Sequence, residues 1–230
     1  MPNELKQLEQ TLGVTFKDKD VLRQALVHRS YLNEHPDFRL GHNERLEFLG
    51  DAVLELVVTE YLYANYQNPE GELTNWRAAL VNADMMAEIC DGLDVESYLY
   101  LSKGEAKDKG TKARRYILAN AIEAVIGSIY LDLGWDEAKD FIHRTVLVRL
   151  PGILHNQLYI DPKSRFQEAA QEKAGVTPSY KVLSEEGPDH NKIFEIGVYI
   201  GKELVAKGSG SSKHEAQVAA AAEAIKAKGW

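Results

Sequence analysis

The sequence predicts a multidomain chain of α and α+β class: an all-helical domain over 1–150, a linker over 151–160 and an α-β-β-β-α domain over 161–230. Three observations predict it. Apolar residues recur at helical spacing through the first two thirds, two-residue alternation is confined to about 180–207, and Pro151-Gly152 punctuates the chain between them. A length of 230 residues also exceeds what one modest core usually holds and suits two.

Taken in order, 5–12 and 19–28 read as short helices separated by Gly13 and Phe16. A long helix follows over about 43–66, with Asn43 or His42 near its cap. Gly71-Glu72-Leu73-Thr74 opens a helix through Leu80, and 83–92 forms another. The stretch 103–115, with Lys103, Lys107, Lys109, Lys112, Arg114 and Arg115, reads as a basic loop, the plain alternative being a solvated connector. A nearly all-apolar helix fills 117–131, a further one covers 135–150, and Pro151-Gly152 starts a tether of about ten residues. Beyond it, 162–174 is amphipathic through Phe166, Ala169 and Ala170. Residues 180–184, 193–200 and 203–207 alternate as strands, Gly201-Lys202 supplies a tight turn, and 216–227 is an alanine-rich closing helix.

The segment 117–131 is too short and too interrupted to be read as a bilayer span, and the N-terminus lacks the basic-then-apolar layout of a signal peptide. With a single cysteine, Cys90, set in an apolar pattern that suggests simple packing, the expected location is the cytoplasm. Net charge is −8, and all of it lies in 1–160, because 161–230 hold ten basic and ten acidic residues. That balance argues weakly against nonspecific polyanion binding. An acidic domain whose carboxylates hold cations can nevertheless meet phosphates.

Residues 43–51, Asn-Glu-Arg-Leu-Glu-Phe-Leu-Gly-Asp, carry the strongest functional signal. Glu44, Glu47 and Asp51 fall within about a 60° arc of one helix, and Glu55 continues the stripe. Leu46, Leu49, Val53, Leu54, Val57 and Val58 make the rest of the circumference apolar. Clustered carboxylates beside such a wall repel one another unless cations compensate, and hard divalent metals are the usual compensation. A water-facing acidic stripe is the ordinary alternative. In 117–131 a second acidic point appears: Asn120 and Glu123 share a face, and Glu123 needs either a metal or an arginine such as Arg77 or Arg114.

With these residues in view, the chain resembles bacterial ribonuclease III, the endonuclease of double-stranded RNA. The match comprises His28-Arg29-Ser30, the 43–54 signature, Arg77-Ala78-Ala79-Leu80-Val81, Ser102-Lys103-Gly104-Glu105 and 117–132, followed by the pattern of a double-stranded-RNA-binding domain. The resemblance implies an RNase III endonuclease domain that dimerises. It implies hydrolysis assisted by two Mg²⁺ per active site, with Mn²⁺ as a possible substitute, held by Glu47, Asn120 and Glu123. Asp51 and Glu123 carry the catalytic role, Asp51 positioning or deprotonating the attacking water. Products are 5′-phosphate and 3′-hydroxyl ends with staggered cuts, and the processes served are rRNA and mRNA processing. Glu44 makes substrate or intersubunit contacts, and Phe48, beside the acidic stripe, inserts into the partner of a homodimer; the alternative packs Phe48 on its own loop around Phe38. In the second domain Gln167, Glu168, Pro188 and His190 face minor grooves, while Ser211, Ser212, Lys213 and His214 meet phosphates. No membrane partner is implied.

Two departures from the family stand out. The closing helix begins Lys213-His214-Glu215 where consecutive basic residues are usual, which suggests weaker binding by this domain. Asn120 occupies a position that usually offers aspartate, keeping an oxygen ligand and losing a charge. That substitution keeps open a catalytically impaired double-stranded-RNA-binding scaffold, or a regulatory module whose helical half only dimerises. Retention of Glu47, Asp51 and Glu123 favours the enzyme.

Overall fold

The computed structural model describes residues 2–188 and 192–230, which divide into two compact units, 1–159 and 160–230. In the first, helices run α1 (Pro2–Leu12), α2 (Lys19–Ala25), α3 (Arg29–Glu34), α4 (Glu44–Asn65), α5 (Glu70–Val81), α6 (Ala83–Gly92), α7 (Lys103–Lys107), α8 (Lys112–Leu133), α9 (Trp135–Thr145) and α10 (Leu150–His155). The axis of this unit is α8, packed against α2, α4, α6 and α9. Leu118, Ala119, Ile122, Val125, Ile126 and Ile129 are buried around its circumference. At 22 residues it is longer than the sequence suggests, and by length and composition alone it could cross a membrane. Here that apolarity serves a buried core helix.

What holds α4 against α8 is the absence of two side chains. A Cβ at Gly127 would lie 2.1 Å from the Leu46 carbonyl oxygen, and one at Gly50 would lie 1.7 Å from the Glu123 carbonyl oxygen. The two backbones therefore touch, at the level where α4 carries Glu47 and Asp51 and α8 carries Glu123. Both glycines are needed for close approach and neither has a positive φ.

Several boundaries differ from the sequence reading. Helix α2 stops at Ala25, because the next residues bond across the fold: the Tyr100 amide donates to Leu26 O at 2.9 Å and the His28 amide to Tyr100 O at 3.1 Å. Asn43 sits at the cap position of α4 without capping it; its buried side chain donates to Ala25 O at 3.2 Å and its amide to Val27 O at 2.9 Å. The basic stretch 103–115 is mostly helical. Ser102 caps α7 by accepting from the Glu105 amide, and Thr111 caps α8 by accepting from the Arg114 amide, leaving only 108–111 between the two helices. Arg114 is buried and paired with Glu96 at 2.6 Å.

The expected tether is likewise corrected. Proline is tolerated in a first helical turn, where its missing N–H has no partner to lose, so Pro151 lies within α10 instead of ending structure. Ile153 is buried and Tyr159 meets the edge of Trp76 at 5.9 Å. Cys90 is free and buried, and burial pushes its thiol well above its ordinary value, as its packing role requires.

The second unit runs α11 (Pro162–Ala174), β1 (Ser179–Glu186), β2 (Ile193–Ile200), β3 (Glu203–Gly210) and α12 (Lys213–Lys228), with an antiparallel sheet ordered β1-β2-β3. Gly201 turns β2 into β3 at φ +59°. Phe166, Val198, Ala220, Ala221 and Ala224 form the core, and the Trp230 ring stacks on Phe166 at 5.5 Å. The closing helix begins three residues earlier than the alanine run suggests, because Ser212 caps it through the Glu215 amide.

Candidate active site

A cleft of about 420 Å³ opens beside the α4–α8 contact, lined by His28, Arg29, Glu44, Glu47, Tyr116 and Asn120 among others. Glu47 comes from α4 and Asn120 from α8. Glu123 lies one turn further along α8, and Asp51 one turn further along α4.

The electrostatics of this group are those of crowded carboxylates. Burial, then the charges of Glu44 and Asp51, push the Glu47 carboxyl above its ordinary value, and a hydrogen bond from the Asn120 side chain draws it partly back. Glu123 is affected most: burial, then Asp51 and Glu47, push it up to about 8. Neither arginine suggested by the sequence neutralises it. Arg77 pairs with Glu55 at 3.0 Å and donates to Thr59, while Arg114 is committed to Glu96.

Among the described residues no cation pairs with Glu47 or Glu123, and two such carboxylates beside the Asn120 amide oxygen suit a hard divalent cation. Among the described residues, however, no three carboxylate, imidazole or thiol groups converge closely enough to form a ready-made cage. The donor set therefore fits a largely hydrated ion, with water completing its shell, better than a fully protein-coordinated one.

Glu44 is exposed and lies 3.6 Å from Arg29 and 3.7 Å from His42. Phe48 is 81 % exposed. The loop alternative for Phe48 is absent, since Phe38 packs instead on Tyr31 at 5.3 Å and Tyr100 at 5.8 Å. Arg29 enters the sequence reading only within the His28-Arg29-Ser30 match, and Tyr116 not at all, although it precedes Asn120 by four residues and so shares its helix face.

In the second unit Gln167 and Glu168 are exposed on α11, and Pro188 is exposed after β1. His190 lies outside the described residues. The corner at the start of α12 is less open than expected. The Ser211 amide and hydroxyl both donate to the Glu215 carboxylate, at 3.0 and 2.5 Å, and Lys213 lies 3.3 Å from Glu185. A phosphate reaching Ser211 must displace Glu215, which the sequence reading did not anticipate. Ser212 spends its hydroxyl on the helix cap, and His214 is exposed.

Comparison with known proteins decides the family. The description Ribonuclease-III-like matches residues 18–150, and Double-stranded RNA binding motif matches 162–228. The chain belongs to the ribonuclease III family. Ribonuclease 3 of Carboxydothermus hydrogenoformans is 44% identical over 222 residues, covering 96% of this chain and 94% of the relative. Ribonuclease 3 of Dehalococcoides mccartyi is 40% identical over 223 residues, covering 96% and 94%. Among solved structures, the nuclease domain of ribonuclease III from Campylobacter jejuni is 41% identical with a TM-score of 0.57, covering 64% of this chain and 99% of that one. That structure is described as showing flexibility in a region involved in dimer formation. As a ribonuclease III, the chain combines a helical nuclease domain with an RNA-binding domain, and its acidic cleft lies in the nuclease half.

Proposed function

We propose that this ribonuclease III-family endoribonuclease of double-stranded RNA works as a homodimer dependent on Mg²⁺. It leaves 5′-phosphate and 3′-hydroxyl ends with staggered cuts and serves rRNA and mRNA processing in the cytoplasm. The observation that carries the reading is Glu123: a half-buried carboxyl beside Glu47 and Asp51, with no arginine paired to it among the described residues.

Glu47, Asn120 and Glu123 would hold Mg²⁺, two ions per site by the family resemblance, with Mn²⁺ as a substitute. When bound, the metal supplies Lewis acidity and positive charge toward the phosphodiester oxygens. The chain's own residues do the rest. Asp51, exposed one helical turn beyond Glu47 on α4, orients the attacking water and takes its proton on a carboxylate oxygen. The water oxygen attacks phosphorus in line, the P–O3′ bond breaks, and the departing 3′ oxygen takes a proton from solvent water. Arg29 and Glu44 border the cleft where the strand enters.

Incubating the purified protein with a long RNA duplex, with and without Mg²⁺, and mapping the product ends tests this reading. Asn120 is the one observation favouring a silent scaffold, and duplex binding without cleavage at any Mg²⁺ concentration would support that alternative. For an active enzyme, Asn120→Asp is expected to lower the Mg²⁺ needed for half-maximal rate by about 3- to 10-fold, because one more anion joins the donor set. The gain shrinks near saturation. A variant needing as much metal as the parent removes Asn120 from the ligands.

Phe48 supports the dimer. An aromatic ring 81 % exposed beside the site is the kind of group that anchors a subunit interface. Phe48→Glu is expected to weaken association by about 30-fold or more and to reduce paired-strand cutting. Light scattering that returns an unchanged mass would place the interface elsewhere.

A further inference from the structure

Resting on that reading of the cleft, we propose that Tyr116 is a substrate-positioning residue. It packs on a ribose of the strand beside the cleavage point and exchanges a hydrogen bond with that ribose's 2′-hydroxyl.

Tyr116 lies near the start of α8, four residues before Asn120 and seven before Glu123, so the three share a face. Its ring is 50% exposed. On one side it lines the cleft that holds Glu47 and Asn120; on the other it borders a second cleft of about 230 Å³ with Asn82, Asp84, Lys112 and Arg115. The ring is thus a ridge between two concavities. Its hydroxyl has no hydrogen-bond partner among the described residues.

A nucleic-acid strand alternates phosphate and sugar. With the scissile phosphate at the acidic end of the cleft, the next group along the strand to meet the ridge is a ribose. A-form duplexes present their 2′-hydroxyls on a wide, shallow minor groove. A ring face suits the apolar side of a sugar, and an unpartnered phenol suits its hydroxyl, as donor or acceptor. Across the cleft, Arg29 supplies a cation for the neighbouring phosphate, its loose 3.6 Å pairing with Glu44 leaving it free to turn. The pair would grip one sugar-phosphate unit, and the 2′-hydroxyl contact favours RNA over DNA at that step.

The test is steady-state cleavage of a single-site RNA duplex in which one 2′-deoxynucleotide is stepped past the cleavage point, using the full chain and Tyr116→Phe. At one position the wild type should show KM raised by about 3- to 10-fold. Tyr116→Phe should show that same rise on the all-RNA duplex and no further rise at that position, with kcat little changed. Tyr116→Ala, which also loses the ring, should lose more. The proposal is overturned if Tyr116→Phe equals the wild type on all-RNA duplex, or if the deoxy penalty is the same in both proteins. A solution mass that changes in Tyr116→Ala would also overturn it, assigning the ring to a subunit contact. A wild type that cleaves no duplex defeats the parent reading first, which separates the two failures.

Discussion

Glu123→Gln is expected to abolish duplex cleavage, by about 1,000-fold or more in kcat, while duplex binding persists, since transition-state charge stabilisation is lost and the RNA-binding domain is untouched. The same substitution is expected to stabilise the metal-free fold at alkaline pH. Glu123 titrates near 8 in the fold against an ordinary 4.5, so between those values the native state keeps a proton that the unfolded chain has released. Stability therefore falls as pH rises from about 4.5 to about 8 and falls no further above that window. Allowing for partial solvation, the loss is on the order of 1–3 kcal/mol at pH 8. Glutamine has no such titration. Urea unfolding in the presence of a chelator should show the variant more stable than the wild type at pH 8 and equal to it at pH 4.5. A variant that cleaves at the wild-type rate removes Glu123 from the site.

The second large effect concerns the helix crossing. On an exposed helix, glycine to alanine is favourable by about 1 kcal/mol. At Gly127 the sign should reverse, because the new Cβ would meet the Leu46 carbonyl oxygen at 2.1 Å and the Gly50 amide nitrogen at 3.0 Å. These are backbone atoms of a buried helix, so relief requires α4 and α8 to separate. Overpacking of this kind costs about 1–3 kcal/mol or more. Separation also spreads the carboxylates of the two helices, so activity should fall more than stability alone explains. Gly71→Ala is the control: it lies in α5 with no atom within 4 Å of its added Cβ, and it should be neutral or slightly stabilising. Equal stability of the Gly127 and Gly71 variants in urea would show that the crossing can relax.

Much of the site was legible because spacing of three and four residues fixes a helix face. Glu44, Glu47 and Asp51 on one helix, and Asn120 and Glu123 on another, needed nothing more. Which charges answer them was not legible: Arg77 and Arg114 were equally available in the sequence, and tertiary placement commits them to Glu55 and Glu96. The glycine contact joins residues far apart in the chain, so neither Gly50 nor Gly127 carries a local sign of it. In 103–115 the density of lysines and arginines has no helical period, and the two helices are set by the caps at Ser102 and Thr111. The helix α3 is too short to show a period. Pro151 can end a helix or open one, and only its place in a first turn, set by the fold, permits the helix. In the second unit, strand alternation located the sheet, but the internal bond from Ser211 to Glu215 depends on a side-chain rotamer that no spacing rule supplies.

The central claim is that carboxylates from α4 and α8 together hold a divalent cation. Calorimetric titration of Mn²⁺ or Mg²⁺ into the RNA-free wild type and Glu123→Gln, at neutral pH, tests it without relying on catalysis. Saturable binding is expected in the wild type and binding weakened at least about tenfold in the variant, since one anionic donor has been removed. Equal affinity in the two proteins would contradict it and place the cation away from Glu123.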